Sequence, residues 1–114
     1  MIDHEALKEI SGGEEEFIRE ILELFLTTYK EPFDAIRDAV QNNDVHLVET
    51  TSHTFKGMVG NITTGEPFIL AQELVTMARE DTLEKAADTF ASLEKNVEQL
   101  VEEIKLWLTD NPSP

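Results

Sequence analysis

The sequence predicts an all-α fold, an antiparallel up-down four-helix bundle with a short extra N-terminal helix. Apolar residues recur at helical spacing along most of the chain, and no segment shows the alternation typical of strands. The connections between helical segments are short, which makes successive helices antiparallel neighbours. At 114 residues the chain is expected to form one domain. We assign it to residues 1–110, with a disordered tail, NPSP, over 111–114.

The first part of the chain is predicted to hold two helical segments. A short helix over about residues 3–10 ends at the glycine pair 12–13, because glycine is a poor helix former. A long segment over about residues 14–43 follows it. Pro32 lies inside this segment and has no backbone N–H, so we expect the helix to be interrupted near Lys30.

Three further helices are expected after the turn NND. Asp44 has a side chain suited to cap a third helix over about residues 44–61. Thr63 and Glu66 have the spacing of a capping box, which would open the fourth helix. The longest helix is expected over about residues 82–108, where apolar residues form a sustained stripe.

The predicted core consists of the apolar residues that share the inner stripe of each helix. We expect the following side chains to be buried: Phe17, Leu24, Phe25, Ile36, Val48, Phe55, Val59, Phe90, Leu93, Val97, Leu100 and Ile104.

Composition excludes several classes of function. The 24 acidic and 9 basic residues give a formal net charge of −15, so nucleic acid and anionic membranes would be repelled and a protein partner is expected. The chain has no cysteine, which excludes disulfides, thiolate metal sites and cysteine nucleophiles. No apolar run is long enough to span a bilayer. We expect a cytoplasmic monomer without a cofactor.

The stretch SHTFKGMVGN, residues 52–61, carries the candidate functional residues on the third helix. At about 100° per residue, His53 lies about 140° from the core stripe that contains Phe55. Gly57 and Gly60, at about 180° and 120°, are predicted to share the solvent face. Glycine costs an exposed helical position up to about 1 kcal/mol relative to alanine. Two glycines there indicate that another molecule comes close to this face.

The residues of this face have the chemistry to carry a phosphoryl group between proteins. An exposed histidine is largely neutral near pH 7, so a ring nitrogen of His53 is free to attack. Lys56 lies one turn away and its cation suits anionic phosphoryl oxygens. Gly57, Gly60 and Met58 are the candidates for partner docking.

The motif HTFKG resembles the H-x-L-K-G signature of histidine-containing phosphotransfer (Hpt) domains, with Phe55 in the leucine position. The resemblance extends over about residues 2–108. It implies a phosphorelay intermediate in which His53 accepts a phosphoryl group from a receiver-domain aspartate or a histidine kinase and passes it to a response-regulator receiver. It also implies that Lys56 neighbours the phosphate and that Gly57 is the small docking residue. Such a protein is a phosphoryl carrier rather than an enzyme, and Mg²⁺ and the catalytic groups come from its partner.

The chain departs from the family pattern after the motif. Many members have a glycine ten residues after the histidine, where this chain has Thr63, and Gly65 follows two residues later. We therefore expect a differently built connection to the fourth helix. In the family a glutamine or glutamate on that helix often orients the imidazole. Gln72, Glu73 and Thr76 are the candidates here.

Two other classes of function are compatible with the sequence. His46, Glu49 and His53 share a helix face and could bind a metal, although di-iron bundles use the reverse order, Glu-x-x-His, in pairs that point inward. Alternatively, the chain is a non-catalytic acidic interaction module. An autonomous enzyme is not expected, because an exposed histidine alone lacks a base, an orienting partner and a recognisable pocket.

Overall fold

The computed structural model describes residues 1–112, and these form a helical bundle without a strand. The predicted all-α class is confirmed. Residues 113–114 of the predicted tail lie outside the described part, and Asn111 and Pro112 follow the last helix. The helices are α1 (His4–Ser11), α2 (Glu15–Thr28), α3 (Lys30–Gln41), α4 (Val45–Val59), α5 (Glu66–Arg79) and α6 (Ala86–Asp110), with a 3₁₀ turn, Leu83–Lys85, before α6.

Helix α1 is bounded by residues that suit its two ends. The Asp3 carboxylate accepts a hydrogen bond from the Ala6 backbone N–H at 3.0 Å, which caps the N-terminus. The C-terminus ends at Gly12, which has φ +69° in the left-handed region. The Asp3 backbone N–H also donates to the Ile62 carbonyl at 2.8 Å. This bond ties the start of the chain to the connection between α4 and α5.

The predicted interruption of the long second helix is confirmed, and it falls at Tyr29 between α2 and α3. Pro32 has no N–H to donate to the Thr28 carbonyl, so one bond of the helical ladder is missing there. Tyr29 keeps helical dihedral angles, with φ −73° and ψ −31°. The two helices therefore act as one broken helix of the bundle, with α1 as the extra N-terminal helix.

The two predicted caps around α4 have different outcomes. Asp44 caps α4 as expected, accepting from the Leu47 backbone N–H at 3.1 Å. The prediction that Thr63 and Glu66 form a capping box is wrong, because α5 begins at Glu66 and its N-cap is Gly65. Thr63 is instead buried, and its hydroxyl accepts from the Gly65 backbone N–H at 3.0 Å. The connection is thus held by a local turn.

The core lies where α3, α4, α5 and α6 pack against their chain neighbours, with α6 closing against α3 and α2. Phe55 of α4 is at its centre, with ring centroids 5.5 Å from Phe33 and 6.4 Å from Phe25. Phe33 also stacks on Phe90 of α6 at 5.1 Å. Ten of the predicted core residues are buried, namely Phe25, Ile36, Val48, Phe55, Val59, Phe90, Leu93, Val97, Leu100 and Ile104.

The other two predicted core residues are exposed. Phe17 is 43% and Leu24 is 63% accessible, so their assignment to the core is wrong. The buried stripe of α2 runs instead through Ile18, Leu22 and Phe25. Phe17 and Leu24 each precede one of these residues, which turns them about 100° away from the core.

Arg37 links α3 to α6. Its guanidinium pairs with Glu94, and with Asp34 at 2.6 Å, and lies 5.4 Å from the ring centroids of Phe33 and Phe90. The hydrogen bonds that Arg37 donates to Glu94 and, to a smaller extent, to Asp34 raise its pKa above the ordinary value. Among residues 1–112, no helix has the length and apolar character needed to cross a membrane.

Candidate functional site

His53 lies on the exposed face of α4. Its side chain is exposed, and no hydrogen bond to it is found within residues 1–112. Gly57, one turn further on, is also exposed, and a Cβ added there would meet no other group within 4 Å. The angles calculated at about 100° per residue therefore placed His53 and Gly57 correctly on the solvent face of α4. The face around the imidazole is therefore open to a large partner.

Gly60 has a different environment from the one the wheel predicted. It is half-buried, and a Cβ added there would lie 3.1 Å from Cε2 of the Phe68 ring on α5. The expectation that Gly60 shares the open face with Gly57 is wrong. Its missing side chain lets the aromatic ring of α5 lie against the end of α4.

Lys56 is held against α5 by a short chain of hydrogen bonds. Its Nζ donates to Oε1 of Gln72 at 2.7 Å and lies 5.9 Å from the Phe68 ring centroid. The Gln72 Nε2 group in turn donates to Oγ1 of Thr76 at 3.2 Å. Glu73 is exposed and takes no part in this chain as far as residues 1–112 show. Gln72 thus contacts the motif lysine and Thr76 contacts Gln72, and neither is hydrogen-bonded to the imidazole within residues 1–112.

A second polar contact joins α4 and α5 on the other side of His53. Arg79 Nε donates to Oε2 of Glu49 at 2.8 Å. Glu49 is therefore engaged with an arginine, and the metal site considered from His46, Glu49 and His53 is not formed. No group of three potential metal-ligating side chains occurs in the part of the chain that the structure describes.

These two contacts fix the register between the helices. Lys56 meets Gln72, and Glu49, seven residues earlier, meets Arg79, seven residues later. The helices are thus antiparallel in a one-to-one register, and His53 is level with residue 75 of α5. Residue 75 is a buried valine, so its neighbour Thr76 is the exposed α5 side chain nearest in height to His53.

An apolar groove that the sequence did not reveal lies next to this face. Its volume is about 280 Å³, and it is formed by α1, α2 and the end of α4. The exposed residues Phe17 and Leu24 line it, and so do Met58 of α4 and Asn61 in the turn that follows α4. Met58 directly follows Gly57 on α4, so the groove begins beside the open position of Gly57. Helix α2 has more apolar residues than one buried stripe can hold, and this surplus was the sequence signal that could have indicated the groove.

A protein-family model matches this chain. The model for the Hpt domain matches residues 20–103, which is most of the chain. The chain belongs to the Hpt domain family. This membership identifies the protein as a histidine phosphotransfer intermediate of a phosphorelay.

The fold of this Hpt domain is also found in a solved structure. The crystal structure of histidine-containing phosphotransfer protein B (HptB) from Pseudomonas aeruginosa PAO1 superposes with a TM-score of 0.87. The match covers 97% of this chain and 96% of that one, at 21% sequence identity. Comparison with curated protein sequences gives no match. At this identity the superposition establishes the shared fold.

Proposed function

We propose that His53 is the residue that carries the phosphoryl group. The observation that supports it best is the exposed imidazole beside the open position of Gly57, with a lysine one turn away. A ring nitrogen attacks the phosphorus of a receiver aspartyl phosphate, the P–O bond to the aspartate breaks, and the carboxylate leaves. The reverse sequence passes the group to another receiver. Mg²⁺ and the remaining catalytic groups belong to the receiver in this proposal.

Lys56 is proposed to stabilise the phosphoryl group on His53. Before phosphorylation its ammonium is held by Gln72, which keeps a flexible side chain close to the site. A phosphoryl group brings about −1.5 to −2 charge. Since hydrogen bonds between two charged groups are the stronger ones, Lys56 exchanges the Gln72 oxygen for phosphoryl oxygens. By its register, Thr76 is the proposed imidazole-orienting residue.

Replacing Lys56 should slow transfer without preventing it. We expect Lys56→Met to reduce the rate of phosphoryl transfer from a receiver by about tenfold or more, because a positioned cation stabilises the transferring group but does not attack. Lys56→Arg should recover part of the rate. Rapid-quench transfer kinetics measure the effect, and Lys95→Met, an exposed lysine of α6, is the matched control. An unchanged rate in Lys56→Met would remove the lysine from the proposal.

The docking surface is proposed to extend from Gly57 into the apolar groove. Phe17 and Leu24 are large side chains that remain exposed next to Met58. Exposed apolar groups gathered around a groove are typical of protein interaction sites. A receiver domain is the partner proposed here, because the same contact must bring its aspartate to His53.

A charge in the groove should weaken receiver docking selectively. Leu24→Lys is expected to raise the KM for a phosphorylated receiver by about tenfold, because an apolar contact is lost and a lysine is desolvated in its place. Leu106→Lys is the control, since Leu106 of α6 is equally exposed, at 62% against 63%. Labelling by phosphoramidate should be unchanged in both variants. If both leave the KM unaltered, the groove is not the docking site.

A further inference from the structure

The ion pair between Glu49 and Arg79 lies beside the proposed phosphorylation site. Glu49 precedes His53 by four residues on α4, so the two side chains are neighbours on one helix face. His53 is therefore flanked by two contacts between α4 and α5, Lys56 with Gln72 on one side and Glu49 with Arg79 on the other. Each contact contains one cation.

The Glu49–Arg79 ion pair is exposed and is held by one hydrogen bond, so Arg79 can exchange Glu49 for another acceptor. The side chain of Arg79 is 56% and that of Glu49 35% accessible, and such exposed pairs contribute little to stability. A single bond, from Nε, is found between the two side chains. Arg79 has five N–H donors in all, and its guanidinium geometry matches phosphoryl oxygens.

Phosphorylation of His53 would add negative charge that repels Glu49 and attracts Arg79. The phosphoryl group would place about −1.5 to −2 charge one turn from the Glu49 carboxylate, and like charges at this spacing repel. The same group offers Arg79 a stronger acceptor than a single exposed carboxylate.

We propose that Arg79 leaves Glu49 and binds the phosphoryl group when His53 is phosphorylated. This inference rests on the proposed function of His53. Arg79 becomes a second phosphoryl-binding cation, on the helix opposite Lys56. Glu49 acts through Arg79 as a positioning residue, because it holds the arginine near the site and competes with the phosphoryl group for it.

The competition between Glu49 and the phosphoryl group for Arg79 can be measured through the equilibrium between phosphorylated and unphosphorylated His53, with phosphoramidate as the donor. Phosphoramidate and the imidazole exchange one N–P bond for another and release ammonia, so a fixed ratio of phosphoramidate to ammonium sets the phosphorylated fraction of His53. The wild type and each single variant differ in one side chain only, so the other charged side chains of α4 and α5 around the site are the same in both proteins. ³¹P NMR gives the ratio of phosphorylated to unphosphorylated protein.

If Arg79 moves from Glu49 to the phosphoryl group, replacing Arg79 and replacing Glu49 should change the ratio of phosphorylated to unphosphorylated protein in opposite directions, and the two effects should not add. Arg79→Gln should lower the ratio about threefold, and Glu49→Gln should raise it about threefold. Glu49→Gln should have an effect about twofold smaller when Arg79 is already replaced, because no ion pair is then left to break. Arg37→Gln, which removes an arginine paired between α3 and α6, should leave the ratio unchanged.

A spectroscopic readout separates exchange from a structural role. The Arg79 Nε–H signal should shift when wild-type protein is phosphorylated and remain in place in His53→Gln treated in the same way. An unmoved signal together with additive effects would show that the ion pair persists and would overturn the inference, while the proposed function stands. Absence of any labelling of the wild type would overturn both.

Discussion

Replacement of His53 by glutamine is expected to reduce phosphorylation by phosphoramidate to background. Glutamine has about the size of histidine, but its amide is not a nucleophile, so no N–P bond forms. Because His53 is exposed and makes no hydrogen bond within residues 1–112, the bundle should keep its stability. The wild-type adduct should be acid-labile and stable to base, which distinguishes phosphohistidine from phosphoserine. Intact-protein mass spectrometry measures the labelled fraction.

His46→Gln is the matched control for this experiment. His46 is also exposed and lies on α4, seven residues before His53. We expect it to be labelled like the wild type. Full labelling of His53→Gln, or loss of labelling in His46→Gln alone, would assign the phosphoryl group to another residue.

Gly57→Gln is expected to block transfer between proteins while leaving the fold intact. A Cβ added at this position meets no other group within 4 Å, so we expect the glutamine side chain to extend into solvent without disturbing the packing. It would, however, stand beside the imidazole on the surface where the receiver must come within bonding distance. Misplacing reacting atoms by about 1 Å can cost about 100-fold in rate, so we expect transfer from a receiver to fall at least about tenfold. Phosphoramidate should still label His53, since it needs no flat docking surface.

Gly57→Ala separates the effect of bulk from the effect of backbone flexibility. Alanine favours an exposed helical position over glycine by up to about 1 kcal/mol. The melting temperature should therefore rise by up to about 4 °C. Differential scanning calorimetry measures this change. If Gly57→Gln unfolds, the glycine is a packing residue; if it transfers normally, the docking surface lies elsewhere.

The helices could be predicted because their boundaries depend on local chemistry. Pro32 lacks the N–H that the ladder needs, and Asp44 supplies a cap to α4, as both residues would in any fold. The prediction of a capping box at Thr63 was wrong because the hydroxyl of Thr63 is used in a local turn and Gly65 is the N-cap of α5. Thr63 is buried, and its hydroxyl is used within the turn that leads to Gly65.

The faces of the helices were harder to predict than their extents. Helix α2 has two adjacent apolar stripes, one through Phe17 and Leu24 and one through Ile18 and Leu22. Periodicity alone does not tell which stripe faces the core, because both have helical spacing. The position of α5 likewise decides that Gly60 is covered. His53 and Gly57 lie nearly opposite the core stripe, where no neighbouring helix reaches, so the wheel placed them correctly.

The measurement that tests the central claim most directly is a transfer and chase with labelled phosphate. A ³²P-labelled receiver domain is incubated with the protein, the receiver is removed, and a second, unlabelled receiver with Mg²⁺ is added. We predict that the label moves to the peptide containing His53, is stable to base there, and then appears on the aspartate of the second receiver as it leaves the histidine. Label that never reaches His53, or that stays there during the chase with every receiver of the same cell, would contradict the account.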